Sequence, residues 1–167
     1  IYQKPKMWNV YQLETFHLNK RLRGISEICF VLREKVHIKG FWFKRYNRAW
    51  QILVAGECDK IYGDSFERAG EEIHQIGNNV TIRFEQMDFG EKGTKSLVIC
   101  GSTPLEKNTI ILKFAKDGVE EQRMVEFMGT KTKQSFEIEP IYGVNDVSLV
   151  FLPGSNFNFT SICFCEA

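Results

Sequence analysis

Short segments rich in apolar and β-branched residues, separated by polar turns, recur along most of this chain. They run over Glu27–Leu32, Val36–Phe43, Trp50–Val54, Asn79–Phe84, Ser96–Cys100, Thr109–Phe114, Arg123–Phe127, Ser135–Ile138, Asp146–Phe151 and Phe157–Phe164. Several alternate with a period of two, so that Val80, Ile82 and Phe84 share one face of a strand while Thr81 and Arg83 take the other. This pattern predicts an all-β fold of antiparallel strands, a sandwich or a barrel.

Helical periodicity is confined to one short stretch. Phe66, Ala69 and Ile73 follow a possible capping residue, Ser65, but Gly70 interrupts the run. Because Gly weakens a helix interior, we expect a loop here with at most one helical turn.

The N-terminal residues differ in pattern from the rest of the chain. We therefore place a domain boundary near residue 26. Residues 1–25 are interpreted as a linker or as the tail of a preceding domain, and residues 26–167 as one β-sandwich module.

Composition and charge exclude several classes of partner. The chain has 167 residues, with 22 Lys and Arg against 21 Asp and Glu and a formal net charge of +1, so no strong field attracts nucleic acid. No apolar run reaches the roughly 20 residues that a membrane helix needs, and the start lacks the layout of a signal peptide. We expect a soluble protein without a membrane or nucleic-acid partner, in the cytoplasm or exported.

The cysteines carry no metal or disulfide signature. Cys29, Cys58, Cys100, Cys163 and Cys165 form neither a CxxC pair nor a Cys/His cluster with zinc spacing. We expect buried free thiols.

One motif suggests a hydrolase. The run from Gly63 to Gly70 reads Gly-Asp-Ser-Phe-Glu-Arg-Ala-Gly and resembles the nucleophile block of the GDSL esterase family. That chemistry needs a histidine base near the C-terminus, and no histidine follows His74. The family is also parallel α/β, whereas this chain lacks crossover helices. We therefore predict no catalytic residues and no enzyme activity for this chain.

The C-terminal segment carries a more specific likeness. Asn145–Phe151, a Pro-Gly-Ser loop and then Asn156–Phe159 resemble the closing strands of family 6 carbohydrate-binding modules. Ile76–Phe84 resembles the central strand of those modules. The pattern departs from the family at Thr160 and Ser161. This resemblance implies a jelly-roll β-sandwich of the galactose-binding-domain-like type.

A second resemblance covers more of the chain. The runs Val36–Phe41, Ala55–Phe66, Gly77–Val80 and Leu97–Gly101 are similar to the C-terminal module of bacterial family 2 glycoside hydrolases of the β-galactosidase type. The likeness implies a non-catalytic module cut from such a hydrolase. Its expected partners are carbohydrate, a galactoside or a polysaccharide, and the catalytic domains of the parent chain.

Four residues are candidates for sugar binding. Asn158 matches the Asn that family 6 modules use in a loop-end cleft, and an amide can donate and accept at two adjacent hydroxyls. Asn79 occupies the position at which the central strand of family 6 modules has Trp. Tyr62 and Trp42 offer rings that suit the C–H face of a sugar.

Each of these candidates has a structural alternative. Asn158 can cap its own loop, and Tyr62 can plug the end of the sandwich. Trp42 faces outward if Phe41 and Phe43 face a core, and it then binds ligand or contacts the parent. The cleft aromatic of the family is missing at Ile73 and His74, which weakens the sugar-binding interpretation.

Jelly rolls of this type often hold a structural calcium through loop carbonyls and carboxylates. Asp59, Asp64 and Glu166 are the candidate ligands, with solvated surface charge as the alternative role. No other cofactor is expected.

Two functional hypotheses remain open. The first is a carbohydrate-binding module that binds glycan through loop-end aromatic and Asn residues. The alternative is a structural or interaction domain that packs on the parent catalytic domain or mediates oligomerisation without binding sugar.

Overall fold

The chain divides into two compact units, Ile1–Arg45 and Tyr46–Ala167. The computed structural model describes residues 10–18, 22, 25–43 and 47–167. The boundary that we predicted near residue 26 falls inside the first unit. Residues 1–9, 19–21, 23 and 24 of the predicted tail lie outside the described residues.

All regular secondary structure of the described residues lies in the second unit. The strands are β1 (Leu53–Val54), β2 (Lys60–Tyr62), β3 (Ser65–Ala69), β4 (Glu72–Asn78), β5 (Val80–Asp88), β6 (Thr94–Ser102), β7 (Lys107–Lys116), β8 (Val119–Met128), β9 (Lys133–Ile141), β10 (Val144–Phe151) and β11 (Phe157–Glu166). A 3-10 turn spans Ala55–Glu57. The predicted all-β fold is confirmed. No helix in the described part is long and apolar enough to cross a membrane.

The strands form two antiparallel sheets. The first sheet has the order β3-β4-β11-β6-β9, with β1 beside β11, and the second has the order β2-β5-β10-β7-β8. From β4 onward the chain crosses repeatedly between the sheets, and only the hairpin β7–β8 stays within one of them. This arrangement is a jelly-roll β-sandwich, as predicted.

The core lies between the two sheets and is dominated by phenylalanine. Phe127 and Phe157 meet with ring centroids 5.0 Å apart, and Phe89 and Phe164 meet at 5.1 Å, in edge-on geometry. The predicted alternation in β5 is confirmed, because Val80, Ile82 and Phe84 are fully buried.

Two predicted strands do not form. Glu27–Leu32 and Val36–Phe43 contain no strand, and every described residue of the first unit is exposed except the partly buried Val36. Residues with high β-propensity make a strand only when a neighbouring strand pairs with them. No described residue of this unit pairs in that way.

The stretch that we expected to be a loop with one helical turn is instead the hairpin β3–β4. Ile73 and Ile76 both point into the core although they are three positions apart. Gln75 lies between them with φ 51°, and the pairing of β4 with β11 shifts register at this point. This bulge breaks the two-residue period within β4. The helical spacing of Phe66, Ala69 and Ile73 arises because these residues lie on two paired strands with the turn at Gly70 between them.

Strand register assigns the turns between successive strands from β2 to β11 to one of two ends of the sandwich. The turns at 63–64, 79, 103–106, 129–132 and 152–156 lie at one end, which we call the loop end. The turns at 70–71, 89–93, 117–118 and 142–143 lie at the opposite end, which we call the far end.

Candidate functional site

Asn158 lies on β11 near the loop end and projects from the outer face of the first sheet. Its neighbours Phe157 and Phe159 are buried in the core, so the side chain between them points outward. Its Oδ1 accepts a hydrogen bond of 2.9 Å from the backbone N–H of Gln75. The bulge at Gln75 frees this N–H from the regular ladder, and the Asn158 carboxamide satisfies it.

The other half of the Asn158 carboxamide remains open. No described residue accepts a hydrogen bond from Nδ2. Among the described residues, the buried side-chain nitrogen and oxygen atoms that lack a hydrogen-bond partner are all arginine Nε atoms. Asn158 Nδ2 is not among these buried atoms, so it is exposed to solvent. The same face of the sheet also carries the exposed side chains of Gln75 on β4, Ser102 on β6 and Lys133 on β9. We call Gln75, Ser102, Lys133 and Asn158 the Asn158 patch.

The sequence pointed to Asn158 but missed the other three members of the patch. Ser102 stands opposite Asn158 in the β6–β11 pairing, and Lys133 lies opposite Cys100 on the next strand. These residues come together only through strand register, and no local pattern marks them.

Tyr62 and Asn79 also lie at the loop end. Asn79 forms the one-residue turn between β4 and β5, with φ 47° and an exposed side chain. Tyr62 ends β2, is 55% exposed, and projects from the outer face of the second sheet because Ile61 packs on the core. Tyr62 and Asn158 therefore point from opposite faces of the sandwich and do not share a cleft.

Tyr62 begins a row of side chains across the outer face of the second sheet. In order from Tyr62 the row contains Thr81, Val150, Ile111 and Met124. The adjacent row is polar and contains Lys60, Arg83, Ser148, Lys113 and Gln122. Tyr62 is thus the aromatic edge of an open sheet surface, which the sequence did not reveal.

An ion pair fixes the polar part of this surface. Arg83 donates to Asp146 at 2.5 Å, and the backbone N–H of Gln86 donates to the other oxygen of Asp146 at 2.8 Å. Burial acts to raise the pKa of Asp146, but the Gln86 N–H and the Arg83 guanidinium outweigh it, so this pKa lies below its ordinary value.

Trp42 belongs to the first unit and is 70% exposed. Our interpretation placed Trp42 opposite Phe41 and Phe43 in a strand whose other face met a core. No strand forms there, and Phe41 and Phe43 are exposed as well. All three rings are more than half exposed and none faces a core, so alternation does not single out Trp42.

The three predicted calcium ligands do not meet. The Asp59 carboxylate pairs with Arg48 and accepts the Glu85 N–H at 2.8 Å. Asp64 accepts a hydrogen bond from the Asn78 side chain at the loop end, at 3.1 Å.

Glu166 lies at the far end, 3.2 Å from the Lys92 ammonium. No group of three or more His, Cys, Asp or Glu side chains suited to a metal occurs among the described residues. The donor set therefore does not fit a calcium ion bound by Asp59, Asp64 and Glu166.

The residues of the esterase-like run have other partners. Ser65 begins β3 opposite Asn78, whereas His74 bonds to Glu72 at 2.6 Å. This bond lowers the pKa of Glu72. His74 is thus paired with a carboxylate on its own strand.

The cysteines are free in the described structure, as predicted, but most are not buried. Only Cys58 is buried, while Cys29 and Cys165 are exposed and Cys100 and Cys163 are partly exposed. The predicted burial is therefore wrong for four of them. Cys100, Cys163 and Cys165 lie on β6 and β11, where period-two alternation directs them away from the core, and Cys29 lies in the first unit on no strand.

Comparisons with known proteins place this fold among carbohydrate-binding modules. No family model matches the chain, and no curated protein matches it. A family 6 carbohydrate-binding module from Clostridium stercorarium, in complex with cellobiose, is 22% identical, covers 71% of this chain and 95% of its own, and has a TM-score of 0.57.

Two other solved structures are similar. A family 6 module from Clostridium cellulolyticum, in complex with xylose, is 20% identical with a TM-score of 0.58, over 71% of this chain and 98% of that one. A family 36 module in complex with calcium and xylotriose is 16% identical with a TM-score of 0.52, over 69% of this chain and 99% of that one. At these identities the likeness establishes the fold, the β-sandwich of family 6 carbohydrate-binding modules.

Proposed function

We propose that this chain is a non-catalytic carbohydrate-binding module appended to a bacterial family 2 glycoside hydrolase of the β-galactosidase type. The fold that it shares with modules in complex with cellobiose and xylose supports this function. The sequence likeness to the C-terminal module of such hydrolases supports the parent. The ligand is a galactoside or a plant or host polysaccharide.

The observation that carries the proposal is the half-engaged carboxamide of Asn158. Its Oδ1 is held by the Gln75 N–H, so Nδ2 is presented in a fixed direction to a ligand. A sugar hydroxyl accepts such a hydrogen bond, while the exposed side chains of Ser102 and Lys133 supply further hydrogen-bonding groups. The Gln75 Nε2 donates to Glu67 at 3.1 Å, which leaves the Gln75 side-chain oxygen to accept from a ligand. An oriented donor loses little conformational entropy on binding.

The patch contains no aromatic ring, so its contacts are polar and its affinity for a single glycan chain is weak. The Tyr62 ring lies on the opposite face and serves a separate contact with the polysaccharide. Weak binding suffices for a tethered module, because attachment to glycan raises the effective concentration of the parent's catalytic domain.

The test compares Asn158→Asp with Asn158→Ala by calorimetric titration with cello-, xylo- and galacto-oligosaccharides. Asp keeps the oxygen that accepts the Gln75 N–H but loses the Nδ2 donor, whereas Ala loses both. We expect each variant to weaken binding by about 1–3 kcal/mol, the range for an unpaired hydrogen-bonding group. Only the Ala variant loses stability as well, by about 1 kcal/mol.

Thr130→Ala is the matched control, because Thr130 is exposed at the loop end and lies outside the patch. It should bind glycan as the wild type does. If Asn158→Asp binds every oligosaccharide as tightly as the wild type, Asn158 is a backbone cap only and the site assignment is wrong.

The first unit supports a second candidate function. In this alternative the chain is an interaction domain that packs on the parent without binding sugar. Its described residues include many exposed large apolar side chains. They are Val10, Tyr11, Leu13, Phe16, Leu18, Leu22, Ile25, Ile28, Phe30, Val31, Leu32, Ile38, Phe41, Trp42 and Phe43. Exposed apolar side chains in this number supply the contacts that an interaction domain needs.

In this alternative the partner is the parent catalytic domain. The alternative predicts that the triple variant Phe30→Ser, Phe41→Ser, Trp42→Ser no longer co-purifies with a separately expressed catalytic domain. It also predicts that neither the wild type nor the variant binds glycan. Saturable glycan binding by the wild-type chain argues against it as the sole function.

A further inference from the structure

A pocket of about 320 Å³ opens at the far end, on the opposite side of the core from the Asn158 patch. It lies between the β7–β8 hairpin and the turn from β9 to β10. Phe114, Ile141 and Pro140 supply apolar lining, and Lys116, Asp117, Glu121 and Asn145 are its polar members. This open pocket of mixed apolar and polar lining offers both the apolar surface and the hydrogen-bonding groups that a small polar ligand needs.

Asn145 is the polar group at the base of this pocket. It is 5% exposed, and its Nδ2 donates to the carbonyl oxygens of Tyr142 at 3.0 Å and Gly143 at 3.3 Å. Two carbonyl acceptors fix which end of the amide is the nitrogen.

The Oδ1 atom of Asn145 has no hydrogen-bond partner among the described residues. Among the described residues, the buried side-chain nitrogen and oxygen atoms that lack a hydrogen-bond partner are all arginine Nε atoms. Asn145 Oδ1 is not among them, so it is accessible, and Asn145 lines the pocket. This accessible oxygen is therefore free to accept a hydrogen bond from a ligand hydroxyl in the pocket.

Tyr142 and Lys116 form the rim. The Tyr142 ring is 51% exposed and packs over Gly93, which has no Cβ to obstruct it. The Lys116 ammonium comes within 2.9 Å of the position that a Cβ on Gly143 would occupy. Because Gly93 and Gly143 have no side chains, the Tyr142 ring and the Lys116 ammonium can lie at the mouth of the pocket.

We propose that this far-end pocket is a second carbohydrate-binding site, which takes a neutral mono- or disaccharide unit at a glycan chain end. The Tyr142 ring contacts the C–H face of the sugar, Asn145 Oδ1 accepts from a hydroxyl, and the Lys116 ammonium donates to another. Glu121 is already paired with Arg123 at 2.8 Å, and the charges of Lys116 and Asp117 cancel, which favours an uncharged ligand. The choice of ligand class rests on the proposed function, but the site does not depend on the Asn158 patch.

The test is a titration of the isotope-labelled full chain with cellobiose, xylose and galactose, followed by NMR. The probes are taken to about 100 mM, where a Kd of millimolar order is saturated. We expect saturable shifts of the Asn145 side-chain amide and of the Gly143 backbone with at least one sugar. Tyr142→Leu and Lys116→Met should each weaken this Kd by roughly tenfold, while Lys95→Met, an exposed lysine of β6 outside the pocket, should leave it unchanged.

The Asn158 side-chain signal, read in the same spectra, separates the two sites. Shifts at Asn145 without shifts at Asn158 support the far-end site and count against the loop-end site, and the reverse pattern overturns the far-end site. Shifts at Asn145 that persist unchanged in both Tyr142→Leu and Lys116→Met also overturn it.

Discussion

Two side chains in this domain accept a hydrogen bond from a backbone N–H at an irregular point of a strand, and each keeps a second polar atom for another contact. Asn158 accepts from Gln75 (φ 51°) and Asp146 accepts from Gln86 (φ 58°), so each serves a residue with left-handed backbone inside a strand. The sequence separations are 83 and 60 residues. A family likeness marked Asn158, but no sequence pattern indicated the partners, because they depend on where bulges interrupt the strands.

Asp146 provides a pH-dependent test at this scale. Asp146→Asn keeps an oxygen for the Gln86 N–H but removes the charge that pairs with Arg83. We expect a loss of about 1 kcal/mol in the free energy of unfolding at pH 7, since both partners are only partly buried. Because the pKa of folded Asp146 is lowered, its contribution is present above the unfolded pKa of about 3.9 and fades as pH falls through the folded value.

Urea unfolding of wild type and variant between pH 7 and pH 2.5 measures this difference. Asp117→Asn, at an exposed turn position, is the control and should have little effect at either pH. A difference between wild type and Asp146→Asn that stays constant over the whole range would show that the ion pair does not stabilise the fold.

At the scale of elements, the sequence predicted well those strand segments in which alternation is unbroken. Residues 80–84 of β5, 109–114 of β7 and 147–151 of β10 were found because every second residue faces the core. The hairpin β3–β4 was missed because Phe66, Ala69 and Ile73 have helical spacing although the turn at Gly70 divides them between two strands. Within β4 the bulge at Gln75 also sets the buried Ile73 and Ile76 three positions apart, which hides the alternation. The segments Glu27–Leu32 and Val36–Phe43 were over-predicted, since propensity does not report whether a partner strand exists.

The pairing of β6 with β11 makes a prediction about Gly101. A Cβ at this position would lie 2.5 Å from both the carbonyl oxygen of Asn158 and the Phe157 ring. Backbone and a buried ring cannot both move away, so we expect Gly101→Ala to lower the free energy of unfolding by about 2–3 kcal/mol. Thermal unfolding followed by circular dichroism measures this loss.

Ser102→Ala is the neighbouring control on the same strand, where the side chain is exposed. It should change stability by less than about 0.5 kcal/mol. Equal melting temperatures for the two variants would mean that the close approach of β6 and β11 at Gly101 is not a constraint on the fold.

For the whole molecule, the fold was predictable and the binding surface was only partly so. The all-β sandwich follows from alternation and turn residues, but its ligand-facing surfaces arise from long-range register. Tyr62 and Asn158 illustrate the limit, because the sequence predicts both as exposed while only the sheet topology assigns them to opposite faces. The same holds for the far-end pocket, whose members Lys116, Tyr142 and Asn145 no motif connects.

The most direct test of glycan binding is an array of galactosides and plant and host polysaccharides probed with the full chain, with millimolar competition by the free oligosaccharides. We predict saturable binding to at least one glycan that is reduced in Asn158→Asp and retained in Thr130→Ala. Absence of binding to every glycan by a folded chain, even at millimolar ligand, would contradict the proposal that this β-sandwich is a carbohydrate-binding module.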